Sequence, residues 1–324
     1  MVQIVLIGIA AGAAAALLFA SVVSGSLLSV ALFYLAPLPL LIAALGWSHV
    51  AGLVAALVAA ASLAAVFTPF LFVAFLVGVG LPAWWLGYLA LLARPVATPA
   101  GETLEWYPVG RLVLWAAILG ALVVIVAIPN FGLDAESFRT ALRRTFERIL
   151  RTQAGSAAGT PLVLPGIADA NRLLDILVTV IPPAAAVLST LTSLINLWLA
   201  GVIVRMSGRL KRPWPDIPAM TFPPYATALL ALAVAGTFLP DMPGIVSGIL
   251  GASLFLAYVL LGLAVLHAVT LGLNGRALML TGSYFTIGLF GWPVLLMALV
   301  GLIESLFAVR GRLARKRGPP AAPV

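Results

Sequence analysis

The chain has 324 residues, 63% of them hydrophobic and only 9% charged. Soluble domains carry about 25% charged residues, so this composition cannot build a water-exposed shell. Cysteine is absent, which excludes disulfides, thiolate catalysis and Cys-ligated metals; the net charge of +8 lies partly beside hydrophobic ends, where it sets topology and meets anionic lipid rather than nucleic acid.

Apolar runs of roughly 20 residues recur along the chain, the signature of an all-α polytopic transmembrane helix bundle. A transmembrane barrel would show alternating segments of about ten residues instead. Spans are expected near 4–23, 28–46, 49–66, 69–93, 109–129, 172–205, 223–240 and 244–272, about eight in all. A broken hairpin over 278–309 follows them, and residues 1–324 read as a single integral membrane domain. The N-terminal segment lacks the positive region of a secretory signal, so it reads as a retained first span. The links "SGS" and "GWSH" make tight hairpins between the early spans. Pro37 and Pro39 distort the second span. Trp84, Trp85 and Tyr88 place the end of the fourth at an interface. Residues 95–108 read as a short polar link.

The section 130–171 is the only long one expected outside the membrane. Within it Asp134 is an N-cap for an amphipathic helix over 134–151. Phe138, Leu142, Phe146, Ile149 and Leu150 share a helical face, and most of the arginines fall on others. Such a helix suits the headgroup plane or caps the bundle. "TQAGSAAGTPLVLPG" after it reads as a flexible loop.

The basic clusters "RMSGRLKR" (205–212) and "RGRLARKR" (310–317) both favour the cytoplasmic side. An even number of crossings then separates them, so 278–309 crosses zero or two times. Gly288, Gly291 and Pro293 allow the break this requires. Both termini are expected in the cytoplasm, with 310–324 as a basic tail.

In lipid an ionisable side chain needs a partner or water. Few such groups occur. Asp175 lies three residues after Arg172 and is expected to pair with it. Glu304 lies near the final arginines, His267 late in the eighth span, and Asn196 in the sixth. Pro182 and Pro183 interrupt the long segment 172–205 and are expected to open its backbone about one turn upstream. Thr179, Ser189, Thr192 and Asn196 supply polar groups nearby. A helix broken beside hydroxyls is how many transporters build a midplane site; a plain proline kink is the simpler alternative. The candidate cavity residues are therefore Thr179, Pro182, Pro183, Ser189, Thr192, Asn196, His267 and Glu304. No metal site or cofactor is expected. The chain has no G-x-x-x-x-G-K-[ST], no H-E-x-x-H and no G-x-S-x-G. An intramembrane enzyme would need Asp175, His267 or Glu304 to converge, and no motif supports that.

The stretches "INLWLAGVIVRMSGRLKRPWPDIPAMTFPPY", "LLGLAVLHAV" and "LLMALVGLIESLFAVRGRL" resemble the YybS-like family of predicted membrane proteins. That family is loosely similar to the substrate-binding membrane subunits of energy-coupling-factor transporters. The resemblance implies a subunit that binds a small molecule in the bundle and takes energy from a membrane coupling subunit and a separate ATPase. It also implies that the small residues Ala10, Ala11, Gly12, Ala14, Ala15 and Ala16 of the first helix meet that coupling subunit. The chain has more spans than those subunits and the long 130–171 section, so no ligand-binding residue carries over. The expectation is a transport-like protein of a bacterial cytoplasmic membrane. The rival is a non-transporting scaffold for envelope or division assemblies.

Overall fold

Length and hydropathy decide most of the architecture, because lipid leaves the backbone no partner but itself. The computed structural model describes residues 1–99, 101–155, 166–167 and 169–316. Most of the expected loop after the amphipathic helix, and the basic tail from Arg317 onward, lie outside the described residues. In chain order the helices are α1 (Val2–Ala20), α2 (Leu27–Tyr34), α3 (Pro37–Gly46), α4 (His49–Val66), α5 (Phe70–Phe75) and α6 (Leu81–Leu91). Then come strands β1 (Ala93–Thr98) and β2 (Gly101–Trp106), followed by α7 (Val109–Ala127), α8 (Ala135–Ala154) and α9 (Ala170–Met206). The chain continues through α10 (Tyr225–Gly236), α11 (Asp241–Val269), α12 (Arg276–Phe290), α13 (Pro293–Phe307) and α14 (Val309–Lys316).

Among the described residues, seven segments are long and apolar enough to cross a bilayer. They match the expected spans, with three changes of detail. The second is two helices, α2 and α3, that meet ahead of Pro37. The fourth carries a π-helical turn over Leu76–Gly80 between α5 and α6. The expected span 223–240 contains the shorter α10, 12 residues long, rising about 18 Å against a hydrocarbon core of about 30 Å.

Two expectations about the backbone are corrected. The link 95–108 contains an antiparallel hairpin, with Arg94 opposite Glu105 and Val96 opposite Thr103. Its reversal uses Gly101 at φ 114°, a conformation L side chains rarely adopt. Arg94 and Glu105 add a cross-strand ion pair at 2.6 Å. The second correction concerns the paired prolines. Helix α9 runs unbroken from 170 to 206 through Pro182 and Pro183. Proline's φ is itself helical and adjacent prolines remove only two donors, so the ladder on either side carries the helix across.

The chain divides into two compact units: 1–116 with 191–227 and 257–324, and 117–190 with 228–256. In the first, α1 crosses α4 at small residues. A Cβ on Gly12 would lie 2.6 Å from the Ala55 carbonyl oxygen and 2.8 Å from Val58 Cβ. Gly8, Gly12, Ala15 and Ala16 are buried in that packing. Much of the small-residue face expected to meet a coupling subunit is therefore covered within the chain. Close backbone approach of this kind drives helix association where water gives no hydrophobic push.

In the second unit, α8 forms as its pattern requires. The Asp134 side chain accepts the Ser137 N–H at 2.9 Å and the Ser137 hydroxyl at 2.6 Å. The Ser137 hydroxyl, then its N–H, holds the Asp134 carboxyl below its ordinary pKa. Phe138 and Leu142 pack with Ala121, Ile128, Ala186 and Ile249. Asp175 pairs with Arg143 of α8 rather than with Arg172. The Arg143 fork reaches Asp175 and also Asn171 Oδ1 at 2.9 Å, one helical turn away. A planar guanidinium suits such a two-pronged contact. Thr190 and Ser253 share a buried hydroxyl–hydroxyl bond of 2.7 Å. Gly120 lies so close to Thr190 and the Ala186 carbonyl that any side chain there would collide.

Candidate functional site

Helix ends in the first unit surround one cavity of about 540 Å³. Leu45 of α3, Ala90 of α6 and Val109, Leu112 and Val113 of α7 form part of the wall. Leu194, Leu197, Trp198 and Gly201 of α9 and Leu260, Leu263 and Ala264 of α11 supply more. The segment after α9 completes it through Leu210, Arg212, Pro213, Trp214, Pro215, Ile217, Pro218 and Met220. His267 and Tyr284 close one edge.

This covering segment is built for an apolar wall. Pro213, Pro215 and Pro218 carry no backbone N–H, so they can line such a cavity without leaving a buried donor unpaired. Trp214 packs over Gly201, with room for a Cβ in ordinary van der Waals contact with the indole at 3.5 Å. Arg205 lies over the same indole, 5.1 Å from the ring centroid, and Arg209 over Trp47 at 4.7 Å. Both contacts hold a cation by the ring quadrupole.

Polar lining is sparse. The Arg212 guanidinium donates to the Ala90 carbonyl oxygen at 3.2 Å. That carbonyl belongs to the last turn of α6, the negative end of the helix dipole. Burial pushes the Arg212 pKa below its ordinary value, yet guanidinium stays charged. His267 Nε2 and the Tyr284 hydroxyl hydrogen-bond at 2.8 Å, which ties α12 to α11 beside the cavity.

Of the eight residues singled out in sequence, His267 lines this cavity. The part of α9 that faces it, Leu194 to Gly201, overlaps the expected stretch from Thr179 to Asn196 only at its end. Asn196 is buried and crosses between helices, donating to the Tyr34 carbonyl at 2.9 Å and the Thr192 carbonyl at 2.8 Å. Ser189 and Thr192 are half-buried on α9. Pro182 is buried, Pro183 half-buried, and Thr179 is exposed, with its hydroxyl bonded to the Asp175 carbonyl at 2.9 Å. Glu304 is buried and meets Arg310, its carboxylate 2.9 Å from Nε and 3.1 Å from the backbone N–H. Arg310 also donates to the Pro218 and Met220 carbonyls. Asp175, His267 and Glu304 thus each bond a different partner.

Sequence reasoning missed Trp198, Gly201, Arg212 and Trp214 as cavity residues. The available signal was "RPWPDIP", where prolines alternate with large apolar groups directly after a basic cluster.

No curated protein and no solved structure matches the chain. A family described as "Predicted membrane protein (DUF2232)" matches residues 13–304. The chain accordingly belongs to the DUF2232 family of predicted membrane proteins.

Proposed function

We propose that this protein is a transport-like subunit of a bacterial cytoplasmic membrane that binds a small, largely apolar molecule inside its helix bundle. The cavity of about 540 Å³ carries the reading. Its size falls within the roughly 300–1,000 Å³ usual for small-molecule sites, and such sites are mostly apolar with a few placed polar groups. The protein itself is not an enzyme in this reading. Its energy comes from a membrane coupling subunit and a separate ATPase, in keeping with the missing phosphate-binding loop in the sequence. That arrangement follows the likeness to YybS-like proteins and to energy-coupling-factor subunits. Because Gly8, Gly12, Ala15 and Ala16 are buried within the chain, the coupling subunit meets another surface. Both termini lie in the cytoplasm, with the basic residues of 205–212 and the α12–α13 hairpin's ends on the same side.

The test is purification from native membrane in a mild non-ionic detergent, followed by mass spectrometry of retained proteins and small molecules. Recovery of an ATPase together with a retained small molecule is expected. Recovery of envelope or division proteins with an empty cavity would replace this reading with the scaffold.

A further inference from the structure

The proposed site contains a charge that its apolar walls do not need. Arg212 lines the cavity with one carbonyl as its described partner and no ion pair to a carboxylate among the described residues. Among the described residues, no aspartate or glutamate belongs to the lining. Between 205 and 216 the chain carries Arg205, Arg209, Lys211 and Arg212 against the single acid Asp216. Arg205 and Arg209 are held on indole faces, one of them Trp214 of the lining. Arg212 is half-buried, and withdrawing a cation from water without a counter-charge is costly. The arrangement becomes favourable when an anion arrives.

The site's depth gives the remaining chemistry. The lining residues of α9, Leu194 to Gly201, lie between five and twelve residues before its end at Met206, roughly 8–18 Å along the axis. The cavity therefore runs inward from the helix ends, with cations near its outer limit and hydrocarbon below. We propose that the cavity takes an amphiphile whose apolar chain enters between α7, α9 and α11 and whose anionic head, a carboxylate or phosphate, meets Arg212. This rests on the small-molecule reading above and names the ligand class for the same cavity. Bilayer phospholipids and free single-chain amphiphiles both have this chemistry.

The experiment uses the full chain in phosphatidylcholine nanodiscs with two photoactivatable probes of identical chain, a diazirine palmitic acid and its alcohol. Cross-linked peptides are mapped by mass spectrometry, with unlabelled competitor separating saturable from bulk-lipid labelling. The acid is expected to label peptides carrying Leu260–His267 and Arg212–Met220 saturably, at about tenfold lower concentration than the alcohol. Arg212→Gln removes that gap, and Arg212→Lys keeps most of it. Repeating the titration with phosphatidylglycerol in the disc identifies the source: suppression of acid labelling assigns the site to a bilayer lipid, and unchanged labelling to a free amphiphile. Equal midpoints for acid and alcohol in the unaltered chain would overturn the anionic head while leaving the cavity reading intact. That comparison decides the matter even if Arg212→Gln fails to fold. The absence of saturable labelling by either probe would overturn both.

Discussion

Helices α12 and α13 have the same length, 15 residues, and belong to one hairpin, yet they are packed in opposite ways. In α13, Pro293, Ala298, Gly301 and Glu304 are buried. Its backbone approaches α11 so closely that a Cβ on Gly301 would strike the Tyr258 carbonyl, and one on Gly262 the Met297 carbonyl. In α12 no residue is buried, and Gly282 and Gly288 have open space around them. Each arm rises about 22 Å, short of a hydrocarbon core of about 30 Å. The break falls at Gly291, whose φ of 70° suits glycine, and Pro293 then starts the second arm. The returning end bonds back through Ser305 to Thr227 at 3.0 Å, and Arg310 reaches Met220 at 2.6 Å. The hairpin is thus one docked arm that carries one peripheral arm, and the peripheral arm edges the cavity through Tyr284.

If docking of α13 is what holds the hairpin, the largest effect should come from its buried ion pair. Glu304→Gln leaves Arg310 with two carbonyls and no counter-charge in a site where both side chains are largely buried. A loss of about 3–5 kcal/mol is expected. It would appear as a lowered midpoint in thermal unfolding and as faster proteolysis after α13. The next effect is steric. Gly301→Leu drives a side chain into the Tyr258 backbone and should cost about 1–3 kcal/mol. The same change at Gly282 meets nothing and should not lower the midpoint. Equal losses at 301 and 282 would erase the distinction between the arms.

These arms also mark the limit of what the sequence could tell. The break in 278–309 at Gly291 and Pro293 came from turn chemistry, and a helix–break–helix is present. The span 49–66 and the Asp134 cap were equally legible, because apolar length and local capping are properties of short stretches. What was hidden depends on partners far along the chain. Arg143 reaches Asp175 across 32 positions, and Arg212 reaches Ala90 across 122. The hairpin at 93–106 was masked by its exposed, weakly patterned residues. Pro182 and Pro183 misled for a different reason: a local breaker was weighed without the 37-residue helix around it. The cavity itself has no linear signature, since it exists only where the ends of several helices meet a proline-stiffened segment.

A gentler probe sharpens the picture of α12. Gly282→Ala adds helix propensity where no neighbour objects, so it should stabilise the arm by about 0.5–1 kcal/mol. Raised protection of α12 amides in hydrogen exchange would record it, without change in α13.

The smallest expected effect is the most telling for the cavity. Tyr284→Phe removes the hydroxyl that bonds His267 and keeps the ring beside the cavity. Side-chain hydrogen bonds between membrane helices average about 0.6 kcal/mol, so the midpoint should hardly move. What should move is access. The chain has no cysteine, so Ala264→Cys places a single thiol in the lining. If the His267–Tyr284 bond holds α12 across one edge of the cavity, adding Tyr284→Phe should raise the labelling rate of that thiol by a membrane-soluble maleimide about threefold, the population change that 0.6 kcal/mol allows. Tyr258→Phe serves as the control, because its hydroxyl bonds Thr227 rather than His267. An equal rise from both variants would mean that general loosening had occurred, and α12 would then be no different in kind from α13. A rise confined to Tyr284→Phe would make the peripheral arm the side through which the cavity is entered.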